Sequence, residues 1–138
     1  MSFLTKTILT VCVIAALLPT VTLSDEAPPS TKVQVKQEEV ILSPVEYADK
    51  YTEQYGVDPK IFKKVMFCES SNNPNAIGDR GLARNVLQFH KQTFLAYEKR
   101  LGVDLEYDSY KDQIQLAAWM FSQGEQYNWS CYKIVTGK

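Results

Sequence analysis

After Ser43 the apolar residues recur at helical spacing in four stretches, and a glycine or an asparagine cluster ends each of them. The predicted helices begin near Pro44, Pro59, Gln92 and Tyr110 and stop before Gly56, Asn72, Gly102 and Gly124. Between the second and third helices, Ala76–Asn85 contains glycine and is predicted to be irregular or hairpin-like. This pattern predicts a single, mainly α domain over residues 44–138, because so short a chain does not hold two ordinary domains.

The first 24 residues have the layout of a secretory signal peptide. Lys6 precedes an apolar run of about eleven residues from Ile8 to Leu18, and small and polar residues follow. An uncleaved anchor is the alternative, and it would be the chain's contact with a membrane. Residues 25–43 contain proline and charge but no aromatic residue, so we expect a flexible linker there.

The cysteine count depends on that leader. Cleavage removes Cys12 and leaves Cys68 and Cys131 in an exported chain, where a disulfide between them is the simplest expectation. A reactive thiol at Cys68, paired with His90 as in a cysteine peptidase, is the competing hypothesis. It is disfavoured because Cys68 is expected at a helix C-terminus beside an acidic residue, which does not lower a thiol pKa.

Charge and histidine content narrow the classes of partner. The formal net charge of −1 gives no electrostatic footprint for nucleic acid. His90 is the one histidine, which leaves no ligand set for a typical zinc site, so we expect neither a metal nor a cofactor. A serine triad would need the same histidine and lacks a nucleophile-elbow motif.

Glu69 fits poorly as a structural residue. It lies three residues after Met66 and seven after Phe62, so it faces the apolar side of its predicted helix. Burial and the negative end of the helix dipole both raise the pKa of a carboxyl group. A carboxylic acid that stays protonated near neutral pH is suited to general-acid cleavage of a glycosidic bond, whereas an exposed glutamate at a frayed helix end is the alternative.

The residues that follow resemble the lysozyme-like superfamily, and its closest branches are the soluble lytic transglycosylases and the resuscitation-promoting factors. The matching residues are Cys68-Glu69-Ser70, Asn73-Pro74-Asn75-Ala76, Gly78-Asp79, Gly81, Ala83, Leu87-Gln88-Phe89, Thr93-Phe94 and, more weakly, Trp129-Ser130-Cys131. The resemblance covers roughly residues 44–133. It implies an α+β lysozyme-like fold with a short Gly-containing loop beside the active-site cleft, and it places Cys68 and Cys131 where the resuscitation-promoting factors have a disulfide.

Carried onto this sequence, the resemblance makes Glu69 the catalytic acid and base. Ser70 would support the neighbouring loop or bind substrate, and Gln88 would line the sugar cleft. Tyr97 and Tyr127 are candidates for stacking on sugar rings, although core or surface packing is an equal alternative.

The implied reaction cleaves the β-1,4 bond between N-acetylmuramic acid and N-acetylglucosamine in peptidoglycan and leaves a 1,6-anhydro sugar. A hydrolytic muramidase is the alternative, with Asp79, or else Asp104 or Glu106, as a second carboxylate. A catalytically decayed wall-binding module is another. We expect a monomeric, exported protein that acts on glycan strands.

Two residues depart from the family pattern. Asn85 stands where the family usually has a glycine, and asparagine is the non-glycine residue that best tolerates a left-handed backbone. Arg84 stands where a smaller or aromatic residue is common, and we expect it to affect which saccharide binds.

Overall fold

The computed structural model describes residues 40–138. The predicted signal peptide and residues 25–39 of the predicted linker lie outside this part of the chain. Within residues 40–138, no helix combines the length and the hydropathy needed to cross a membrane. The helices are α1 Pro44–Tyr55, α2 Pro59–Ser70, α3 Lys91–Leu101, α4 Tyr110–Ser122 and α5 Ser130–Thr136, and the strands are β1 Ile77–Gly78, β2 Ala83–Arg84 and β3 Phe89–His90. The domain is therefore mainly helical with one very small sheet, as predicted.

Local signals set the helix ends. The Ser43 hydroxyl accepts the backbone N–H of Glu46 at 3.4 Å, and the Glu46 carboxylate accepts the backbone N–H of Ser43 at 2.8 Å, which forms a capping box on α1. Asp58 caps α2 by accepting the backbone N–H of Lys60 at 2.8 Å. Gly56 ends α1 in the left-handed conformation with φ of 68°. The predicted starts of both helices are confirmed.

The core lies between α1, α2 and α4, and aromatic rings extend it toward α5. Phe121 of α4 packs edge-on against Phe62 of α2 with ring centroids 5.1 Å apart, and its ring lies 5.3 Å from that of Trp129. The fully buried side chains include Phe62, Val65, Met66, Val86, Leu87, Phe94, Ile114, Leu116 and Met120. This packing holds the C-terminal end of α2 beside α5 and beside the segment between β2 and β3.

The Gly-containing segment forms an antiparallel three-stranded sheet in the order β1-β2-β3. Ile77 pairs with Arg84, and Ala83 pairs with His90. The hairpin prediction is confirmed, and the third strand adds to it. Around this sheet six described non-glycine residues have left-handed backbone: Ser71, Asn72, Asp79, Arg80, Asn85 and Gln88. Asn85, with φ of 69°, is one of them, and its side-chain amide donates to the backbone carbonyl of Asp108 at 2.9 Å.

Candidate active site

Glu69 lies in the last turn of α2 and is half-buried. Burial raises the pKa of its carboxyl group above the ordinary value, since an ionised carboxylate loses hydration there. A hydrogen bond from the backbone N–H of Cys131 acts in the opposite direction and lowers that pKa, but burial has the larger effect. Glu69 is therefore protonated over a wider pH range than an ordinary glutamate, and the Cys131 backbone N–H is placed to stabilise its ionised form.

A disulfide joins Cys68 to Cys131, as predicted. One partner immediately precedes Glu69, and the other provides the N–H that contacts the Glu69 carboxylate. The bridge therefore links the end of α2 covalently to the first turn of α5 at the point where the two elements meet around Glu69. Because Cys68 is bonded, it is not available as a nucleophile, and the cysteine-peptidase alternative is wrong.

The carboxyl group of Glu69 faces a cavity of about 250 Å³. Gln88, His90, Thr93, Asn128 and Ser130 line it together with Glu69. The remaining lining residues are Phe89 and Trp129. Among the described residues that line this cavity, Glu69 is the one carboxylate, and its neighbours offer amide, hydroxyl and imidazole groups.

Gln88 is held in place at the edge of this cavity. Its side-chain amide donates to the backbone carbonyl of Asn85 at 2.7 Å, and its own backbone is left-handed with φ of 49°. Gly78 lies directly against the Gln88 side-chain oxygen, so closely that a Cβ atom at Gly78 would overlap it. A side chain at Gly78 would therefore displace the Gln88 amide. Gln88 lines the cavity with Glu69, and its predicted role in binding sugar stays a prediction.

Two hydrogen bonds fix the segment between Asn85 and Gln88. Ser70, next to Glu69, donates its hydroxyl to the backbone carbonyl of Val86 at 2.8 Å. The indole N–H of buried Trp129 donates to the backbone carbonyl of Leu87 at 2.9 Å. Ser70 is thus bonded to this loop, and its role in the site stays a prediction. It is not among the residues that line the cavity.

The two predicted stacking tyrosines lie outside the residues that line the Glu69 cavity. The Tyr97 hydroxyl donates to Glu125 at 3.0 Å and accepts from the side-chain amide of Asn128 at 3.3 Å, so it contacts one cavity residue. The Tyr127 ring is 55% exposed and packs against Tyr132 with centroids 5.1 Å apart. A role for either in binding sugar remains a prediction.

The candidate second carboxylates are not cavity residues either. Asp79 lies 3.1 Å from the imidazole of His90, which does line the cavity. Asp104 and Glu106 are exposed, and neither belongs to the residues around Glu69. The structure therefore brings together Glu69 and Gln88, brings Asp79 close through His90, and leaves the other two acids elsewhere.

Thr93, Asn128, Trp129 and Ser130 line the cavity without an individual role in the sequence prediction, and His90 enters that prediction only through the disfavoured cysteine-peptidase, serine-triad and zinc alternatives. The weak similarity of Trp129-Ser130-Cys131 to the terminal motif of the resuscitation-promoting factors is the sequence feature that pointed to residues 128–130 as part of the site. Within residues 40–138, no group of three or more histidine, cysteine, aspartate or glutamate side chains is arranged to hold a metal ion.

A small α+β domain, with a half-buried glutamate at a helix end facing a cleft beside a short sheet, defines a protein of the lysozyme-like class. The family description "Transglycosylase SLT domain" matches residues 46–135, and the chain belongs to that family. This membership supports a peptidoglycan lytic transglycosylase type of function and implies that the domain binds peptidoglycan. No curated protein and no solved structure matches the chain.

Proposed function

We propose that the protein is an exported lytic transglycosylase that cleaves the β-1,4 bond between N-acetylmuramic acid and N-acetylglucosamine, with Glu69 as its single acid and base. The observation that carries this proposal is the half-buried Glu69 carboxyl group, with its raised pKa, as the one acid among the described residues of its cavity. A general acid works best when its pKa lies near the working pH.

In this reaction Glu69 first donates its proton to the glycosidic oxygen as the bond to the muramic acid anomeric carbon breaks. The carboxylate that results accepts the Cys131 backbone N–H, which stabilises its charge until the next proton arrives. Glu69 then removes the proton from the 6-hydroxyl of the same sugar, and that oxygen closes onto the anomeric carbon. The product is a 1,6-anhydro ring, and Glu69 returns to its protonated form.

The lack of a second carboxylate among the described residues of the Glu69 cavity favours this intramolecular route over hydrolysis. A hydrolytic glycosidase of the usual kind uses two carboxylates that flank the scissile bond. Gln88, Thr93, Asn128 and Ser130 are able to hydrogen-bond sugar hydroxyl and acetamido groups but do not activate water as a carboxylate does. A single carboxyl group suffices when the nucleophile is the substrate's own hydroxyl.

The test is the mass of the products released from purified peptidoglycan. Anhydro products are one water lighter than hydrolytic products, so the spectrum separates a transglycosylase from a muramidase. Glu69→Gln keeps the size of the side chain but removes its proton chemistry, and we expect the rate to fall by at least about a hundredfold.

Glu53→Gln is the matched control, because Glu53 lies on the exposed surface of α1 outside the cavity and the same chemical change there leaves the rate unchanged. Equal release by wild type and Glu69→Gln would overturn the role of Glu69. Absence of release by the wild type would favour a wall-binding module instead.

A further inference from the structure

A second and larger cavity, of about 590 Å³, adjoins the Glu69 cavity. His90 and Thr93 line both cavities, so the two are neighbours across the start of α3. A polymer lying in the Glu69 cavity therefore has room for a substituent to extend past His90 into the second space. Glycan strands of peptidoglycan carry such a substituent, the short peptide on each muramic acid.

The second cavity combines apolar surface with positive charge. Leu82 and Leu95, which are 62% and 47% exposed, line it together with the ring of Tyr107. Arg84 and Lys91 also line it, and no aspartate or glutamate is among the described residues that do. A surface of this kind matches a ligand that carries both methyl groups and carboxylates.

The two cations are not neutralised within the described part of the chain. Arg84 forms no ion pair there, and Lys91 lies over the Tyr107 ring at 6.0 Å without a carboxylate partner. Of the nearby acids, Asp79 pairs with His90, and Asp108 lines a neighbouring cavity together with Arg84, although no ion pair joins those two residues within residues 40–138. Both basic side chains are therefore available to an incoming anion.

We propose that this cavity, the Arg84 groove, binds the acidic peptide stem of the glycan strand, with Arg84 and Lys91 pairing with stem carboxylates while Leu82 and Leu95 contact its alanyl methyl groups. The inference rests on the proposed function, because it assumes that the strand lies in the Glu69 cavity. The sugar backbone cannot explain the charge, since its hydroxyl and acetamido groups are neutral. The groove thus selects strands that still carry peptides with free carboxylates.

The test compares the binding of two matched fragments, measured calorimetrically in the Glu69→Gln background so that neither is cleaved. One is a peptide-bearing glycan fragment, and the other is the same fragment with its peptide carboxylates converted to amides. We expect the carboxylate form to bind about five- to tenfold more tightly, as one or two partly exposed ion pairs would provide. The preference should weaken as salt concentration rises.

Variants identify the residues responsible. Arg84→Ala should remove most of that preference without changing affinity for the amidated fragment, and Arg84→Lys should restore part of it. Lys60→Ala, a charge removal on exposed α2 surface outside the groove, should leave both affinities unchanged. Arg84 is exposed and unpaired, so these variants are expected to fold, and a thermal melt of each checks it.

Equal affinity for the two fragments, or equal weakening of both by Arg84→Ala, would overturn the proposed groove. Cleavage by the wild type is measured separately on the carboxylate form. If the wild type releases no product while Arg84-dependent binding persists, the proposed enzymatic function fails and the groove stands. If product is released without any carboxylate preference, the function stands and the groove fails.

Discussion

The disulfide between Cys68 and Cys131 leads to the sharpest quantitative prediction. It closes a loop across a sequence separation of 63 residues, which is most of the described domain. In the chain-entropy treatment a loop of this length restricts the unfolded chain by about 4 kcal/mol at 25 °C. Replacing both cysteines with alanine should therefore lower the free energy of unfolding by about that amount and the melting temperature by roughly 15 to 30 °C.

Urea unfolding at constant pH measures this loss directly. Reduction of the wild type should reproduce it, and the same reductant should leave the alanine double variant unchanged, which controls for other effects of the reagent. A loss of less than about 1 kcal/mol would refute the reasoning, because restriction of the unfolded chain would then not be the main contribution of the bridge.

The same perturbation has a local effect on Glu69. Without the bridge, α5 loses its covalent link to α2, and the Cys131 N–H is less firmly placed beside Glu69. Since that N–H lowers the Glu69 pKa, its loss should raise the pKa further. The profile of kcat/KM against pH should move to higher pH in the double variant. An unmoved profile would mean that the bridge is not needed to place the Cys131 N–H beside Glu69.

Three further predictions concern single residues. Glu69→Gln should be more stable than the wild type at pH 7 and equal to it near pH 4. The raised pKa of Glu69 destabilises the folded state only above about pH 4.5, where the carboxyl group ionises in the unfolded chain. Thermal melts at both pH values measure the difference. Gly78→Ala should lower kcat/KM several-fold by displacing the Gln88 side chain, although its extended backbone accepts alanine, and an effect on stability with unchanged activity would contradict this. Trp129→Phe should cost about 1 to 3 kcal/mol in urea unfolding by leaving the buried Leu87 carbonyl unpaired; a change below about 0.5 kcal/mol would argue against that bond.

The starts of α1 and α2 and the ends of α1 and α3 could be predicted because their signals are local. Ser43 and Asp58 cap the helices that they precede, and Gly56 and Gly102 end the helices that they follow. Capping residues act on backbone groups within one helical turn, so the end of the helix can be predicted from the residues next to it. The orientation of Glu69 toward the apolar side of its helix could also be predicted, because its spacing from Met66 and Phe62 follows from helical periodicity alone.

The place of residues 128–130 in the candidate site could not be predicted from local signals. Helix α5 is only seven residues long and has no side-chain cap, so its pattern does not stand out. Asn128 and Ser130 reach the cavity because Trp129 bonds to Leu87 across 42 residues of sequence and the disulfide closes beside it. Such long-range contacts depend on the packed fold and leave little trace in a single sequence.

The left-handed residues near the sheet have a consequence for mutational tolerance. Six non-glycine residues of this kind fall between Ser71 and Gln88, and left-handed backbone costs a residue other than glycine, asparagine or aspartate about 1 to 2 kcal/mol. A β-branched substitution at any of these six positions should destabilise the fold through the backbone, even where the new side chain has room. Arg84 and Lys91 lie on regular backbone, and variants with altered substrate preference are best sought at those two positions.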